Sequence, residues 1–105
     1  MESTRLKKVE RLVQKELSTY FQQKMSLYMS KLISVTVVRI SPDLSVARVY
    51  LSIFPTADTE KVLEMIVGDT GKIKYEISKI LRNQLRKMPD FKFFIDDSLD
   101  HAQKI

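Results

Sequence analysis

The chain has 105 residues, enough for one ordinary domain around a single core, and 44% of them are apolar. No apolar run nears the ~20 residues that cross a bilayer, and the opening MESTRLKKVERL carries charge where a secretory signal needs an apolar stretch, so a cytoplasmic protein without a membrane partner is expected. The lack of cysteine excludes disulfides, thiolate nucleophiles and Cys-type zinc sites, and a net charge of +5 favours an acidic partner.

Ser3 or Thr4 can cap a first helix, along which Leu6, Val9, Val13, Leu17 and Tyr20 recur at three- and four-residue steps. Lys7, Lys8, Arg11 and Lys15 occupy another side of it, and the helix can run to about Met25. Residues 33–40 (ISVTVVRI) are rich in β-branched side chains and alternate early, with Ile33, Val35 and Val37 on one face. The alternation slips at Val37-Val38, which implies either a bulge or burial on both faces. Ser41-Pro42-Asp43-Leu44 reads as a turn. Residues 45–54 form the cleanest strand, with Ala47, Val49, Leu51 and Ile53 pointing one way and Arg48, Tyr50 and Ser52 the other. These two strands should pair as an antiparallel hairpin.

Pro55 ends the second strand, and Asp58 or Thr59 caps a second helix with Val62, Leu63 and Ile66 inward. Gly68-Asp69-Thr70-Gly71 then breaks a helical stretch. The spacing predicts a further helix over 72–88, stopped by Pro89 because proline disfavours helical geometry in the residue before it. Phe91, Phe93 and Ile95 alternate as a third strand, closed by Asp96-Asp97-Ser98, and residues 99–105 form a short tail. The order is α-β-β-α-kink-α-β. It implies an α+β fold in which one three-stranded sheet carries helices on one face, and a single domain spanning 1–105.

The excess charge is localised. Residues 1–32 and 69–92 each carry a net +4, whereas 33–68 and 93–105 carry −1 and −2. In the helix over 72–88, Ile73, Ile77, Ile80, Leu81 and Met88 share one side. Lys72, Lys79, Arg82 and Arg86 fall within an arc of roughly 80° on the other, at about 100° per residue. Tyr75 lies in that arc and no acid does. One side can seal a core while the other faces a phosphate polymer. A merely solvated charged face is the plainer alternative, with Glu76 forming weak pairs to Lys79 or Lys72.

Gly68-Asp69-Thr70-Gly71 has two readings. A Gly-x-x-Gly turn between helices lets a nucleic-acid backbone approach, as in the KH module. A plain helical corner, with Asp69 and Thr70 as caps, explains it better, because a carboxylate facing phosphate would repel it. His101 is the lone histidine and stands among acids in the tail, so neither a metal site nor a triad is expected. No cofactor, small-molecule substrate or catalytic residue is indicated. Met25, Met29, Met65 and Met88 read as core or gap-filling residues.

Two segments resemble ribosome-binding factor A: ISPDLSVARVYLSIF (residues 40–54) is similar to that family's central hairpin, and RKMPDFKFFIDDSLD (residues 86–100) to its C-terminal signature of a base, a proline, an aromatic strand and Asp-x-Ser-Leu. In this chain those are Arg86, Pro89, Phe91, Phe93, Asp96 or Asp97, Ser98 and Leu99. The opening helix RLKKVERLVQKELS is similar too. The resemblance implies a type II KH-like fold. It also implies a non-catalytic factor that binds the immature 30S small subunit and assists late maturation of 16S rRNA, including its 5′ end, with a role in growth in the cold. The family usually has an Ala-x-Gly kink; here Asp69 stands in the alanine's place, after Gly68. The expected partners are 16S rRNA and the immature 30S subunit, met by a monomer through Lys72, Lys79, Arg82 and Arg86, with Lys7, Lys8, Arg11 and Lys15 extending the field. A protein-interaction module using an exposed sheet edge is the alternative.

Overall fold

A computed structural model describes residues 2–96. Its elements are α1 (Glu2–Gln23), a short 3-10 helix (Met25–Tyr28), β1 (Leu32–Ile40), β2 (Val46–Phe54), α2 (Thr59–Gly68), α3 (Thr70–Leu81) and β3 (Asp90–Ile95). This is the expected α+β order, with the kink reduced to the single residue Asp69. The expected closing residues Asp97 and Ser98, the tail 99–105 and His101 lie outside the described residues. α1 starts at Glu2, so positions 3 and 4 lie within its first turn and not at its N-cap position.

The sheet runs β1-β2-β3, with β1 antiparallel and β3 parallel to β2. Val13, Leu17 and Phe21 of α1, Val62 and Ile66 of α2, and Ile73, Ile77 and Leu81 of α3 are fully buried. They meet the inward residues of the sheet, among them Ile33, Val49, Leu51 and Phe91. The helices therefore lie on one face, and among the described residues nothing covers the other face of the sheet.

The slip in the first strand is a bulge. Register shifts between Val35 and Val37, leaving Thr36 as the extra residue. Because side chains alternate, one added residue re-phases the strand. Val38 and Ile40 follow Ile33 and Val35 inward, and Val37 turns to the open side, against the expectation from simple alternation. The Gln14 side-chain amide of α1 donates to the carbonyls of Val35 (3.0 Å) and Thr36 (3.4 Å), satisfying backbone groups near the irregularity. Glu10 accepts the Ile40 amide at 2.9 Å, so α1 is tied to β1 at two levels.

The largest departure is the length of the third helix. α3 ends at Leu81, and the Gln84 and Leu85 amides fold back onto the Leu81 carbonyl at 2.8 and 2.9 Å. Parallel pairing is the reason. Asp90 must lie beside Val46. A helix continued to Met88 would carry the chain about 10 Å farther along its axis, at ~1.5 Å per residue, and leave only Pro89 for the return. Pro89 thus sits, buried, at the entry to β3 and does not set the helix exit. Ile80 is correspondingly 52% exposed rather than inward, and Met29 is 42% exposed rather than core.

Candidate nucleic-acid interface

α3 presents its inward stripe, Ile73, Ile77 and Leu81, to the core, so Lys72, Tyr75 and Lys79 face outward by helical geometry. Tyr75 is 62% exposed, and the Lys79 ammonium lies 4.9 Å from its ring centroid. Lys79 also approaches Glu76 at 3.8 Å, a surface pair of little weight. Lys72 and Arg82 are exposed, Arg82 forming the C-cap.

Arg86 is exposed but lies beyond the helix, in the segment between α3 and β3. The early stop changes its company. Arg82, Asn83, Gln84, Leu85, Arg86 and Lys87 line a concavity of about 340 Å³ with Arg5, Val9 and Leu44. Four cations, Arg5, Arg82, Arg86 and Lys87, thereby converge from two elements, and among the described residues no carboxylate lines the recess. Two acids outside the recess act on Lys87: Asp90, which Lys74 holds at 2.6 Å, and Asp43 of the adjoining hairpin turn. Asp43 feels Lys87, but the Ser41 and Ser45 hydroxyls and the Ser45 amide already bind its carboxylate and hold its pKa at about 2.

Lys7, Lys8, Arg11 and Lys15 are all exposed, yet they do not enter that recess. At about 100° per residue, Lys7, Arg11, Lys15, Lys8 and Arg5 sweep an arc of roughly 160° around α1. Lys7 and Arg11 line a shallow groove with Thr36–Arg39 at the β1 edge, while Lys8, Arg11 and Lys15 surround Leu12 on the outer side. Arg5 is the end of the band that reaches the α3 side. Sequence periodicity gave no weight to Arg5 or Lys87. Arg5 was legible as the neighbour, on the helical wheel, of the inward residue Val9. Lys87 was not, since its position depends on the helix stopping at Leu81.

The kink is arranged differently from either sequence reading. Asp69 occupies the N-cap position of α3, but its side chain makes no capping bond. It accepts the Tyr28 hydroxyl at 2.9 Å. Tyr28 is fully buried, and burial above all pushes its phenol well above the usual range, so it remains a donor. The carboxylate is therefore engaged by the 3-10 helix next to α1. Thr70 likewise does not cap α3; its hydroxyl donates back to the Val67 carbonyl at 2.7 Å. Gly68 and Gly71 are exposed, neither has a positive φ, and a Cβ at either would meet nothing within 4 Å. The backbone does not require glycine at either position.

Among the described residues no group of three or more His, Cys, Asp or Glu side chains could hold a metal ion, and no helix is long and apolar enough to cross a membrane.

The family model described as Ribosome-binding factor A matches residues 5–105. The chain is 44% identical over 107 residues to ribosome-binding factor A of Flavobacterium johnsoniae, covering 100% of this chain and 82% of that protein. It is 42% identical over 106 residues to the protein of the same name from Christiangramia forsetii, covering 99% and 81%. The crystal structure of ribosome-binding factor A from Thermus thermophilus superposes with a TM-score of 0.70 at 22% identity, covering 86% of this chain and 94% of that one, a likeness of fold.

Proposed function

The chain belongs to the ribosome-binding factor A family, and we propose that it is a non-catalytic, cytoplasmic RNA-binding factor that associates as a monomer with the immature 30S subunit. Its task is to assist late maturation of 16S rRNA, including processing of the 5′ end, and so to support growth in the cold. The observation that carries this reading is the recess in which Arg5, Arg82, Arg86 and Lys87 converge, flanked by the exposed Lys72, Lys79 and Tyr75. Phosphate contacts would position the protein, with the α1 cations Lys7, Lys8, Arg11 and Lys15 contributing a longer-range attraction. At the kink, Gly68 and Gly71 leave room for a phosphate backbone. Asp69 and Thr70 turn their polar groups to Tyr28 and Val67, which lessens the repulsion a free carboxylate would impose.

Four phosphate contacts imply a log–log salt slope of about −3. The double variant Arg82→Glu/Arg86→Glu should fold as the parent does and lose co-sedimentation with immature small subunits. Unchanged co-sedimentation would reject the assignment of this face. The rival reading is supported by β3, which among the described residues pairs only with β2 and so stands at a sheet edge that another chain could join. Strand addition there would barely respond to salt, whereas phosphate binding would weaken steeply as salt rises.

A further inference from the structure

The open face of the sheet has an order of its own. Arg39 stands opposite Arg48, and Arg48 opposite Lys92, so one cation from each strand lines up across the sheet. All three are exposed. With strands about 4.8 Å apart, the row is roughly 10 Å long. The ion pairs of the described residues are Lys74–Asp90 and Lys79–Glu76, and neither includes this row. Asp90 feels Lys92 but is held at 2.6 Å by Lys74. Like charges placed directly opposite one another weaken a sheet. The arrangement therefore costs the fold and calls for another reason.

The next outward row is Val37, Tyr50 and Phe94. It lies about 7 Å along the strands, two residues on. The Tyr50 and Phe94 rings stack with centroids 5.4 Å apart and planes 28° from parallel, and Phe94 remains 39% exposed. A flat aromatic pair beside a bar of unpaired positive charge matches one chemistry well: unpaired bases on a negatively charged backbone. A duplex hides its base faces, and an apolar protein partner would have to bury three cations that form no ion pair among the described residues.

The geometry points to this face as a second nucleic-acid surface, one that takes a single-stranded RNA segment. A base stacks on Phe94 and Tyr50, and successive phosphates lie along Arg39, Arg48 and Lys92. This surface is separate from the helical recess and stands whether or not that recess binds rRNA.

The test uses the full chain, a labelled single-stranded octaribonucleotide, and an abasic oligomer of the same length and charge, read by fluorescence anisotropy across a salt series. Loss of one stacked base is worth at least about fivefold in affinity. Phe94→Leu should therefore weaken the octamer at least fivefold while leaving the abasic oligomer unchanged. Arg48→Thr should weaken both and reduce the salt slope by about 0.7, and its melting temperature should not fall, because repulsion on both sides is relieved. Lys92→Thr serves the same purpose should Arg48→Thr fold poorly. Arg82→Glu/Arg86→Glu reports on the other surface. The proposal is overturned if the sheet variants bind the octamer as the parent does while the recess variant alone loses it. It is equally overturned if Phe94→Leu changes only self-association in sedimentation equilibrium, which would make a second copy of the chain the occupant.

Discussion

Removing one oxygen from the core tests how the kink is held. Tyr28→Phe keeps the ring, which is fully buried and packed edge-on to Phe21 at 5.9 Å between centroids. It deletes only the hydroxyl that donates to Asp69 at 2.9 Å. A hydrogen bond to a charged acceptor contributes about 1.5–3 kcal/mol. Asp69 is half-buried, so water can partly replace the lost donor, and about 1–2 kcal/mol is the expected loss. For a domain of this size each kcal/mol lowers the melting temperature by roughly 4–8 °C. Thermal unfolding of Tyr28→Phe, Asp69→Ala and the double variant gives the coupling directly, expected at about 1 kcal/mol. Small-subunit binding should weaken as well, although no cation has been touched, because α3 leaves the kink at Asp69. A Tyr28→Phe protein that melts with the parent, or single effects that simply add, would refute the idea that this bond fixes the kink.

Gly71→Ala should raise stability by about 0.5 kcal/mol in chemical denaturation, the low end for a glycine in the first turn of a helix; if the same variant loses subunit binding, the exposed glycine serves close approach of a partner. Ile77→Ala, at a fully buried site under α3, should cost about 2–5 kcal/mol in the same assay. A carboxyl titration by NMR should place Asp43 at about 2, and Ser41→Ala should move it up towards the ordinary carboxylate range. Because its folded value is depressed, the turn's contribution is present above the ordinary carboxylate pKa and is lost as pH falls through about 2; acid unfolding of Ser41→Ala should show a smaller dependence in that window.

Periodicity carried most of the fold. The 3.6-residue rhythm of α1 and the alternation of β2 are local signals, and both elements bury the residues that those rhythms select, save Leu6, which is half-buried against the core. The bulge was half legible: the slip at Val37-Val38 announced an irregularity, but only pairing with β2 shows that Thr36 is the extra residue. Helix α3 was misjudged at its end because residues 82–88 contain no glycine or proline to halt it. The stop is imposed by the need to bring Asp90 alongside Val46, which no local pattern encodes. That constraint hid Lys87 from the basic recess, and the Tyr28–Asp69 bond was hidden separately, as a contact between residues far apart in the chain. The cationic row across the sheet was legible in one strand alone, as Arg48 on the polar side of β2, until register placed Arg39 and Lys92 beside it.

Parallel pairing of the last described strand also sets the order in which the molecule can be completed. The β1–β2 hairpin closes over a short turn and can form as soon as its residues are made, with little loop entropy to overcome. β3 has to wait for the whole crossover of α2 and α3. During that interval a folding chain carries β2 with one flank of amides and carbonyls unclaimed, the geometry that invites neighbouring chains to join. The interval between hairpin closure and completion of the crossover is thus the period of greatest aggregation hazard, and it ends when Phe91 and Phe93 dock beside Ala47 and Val49.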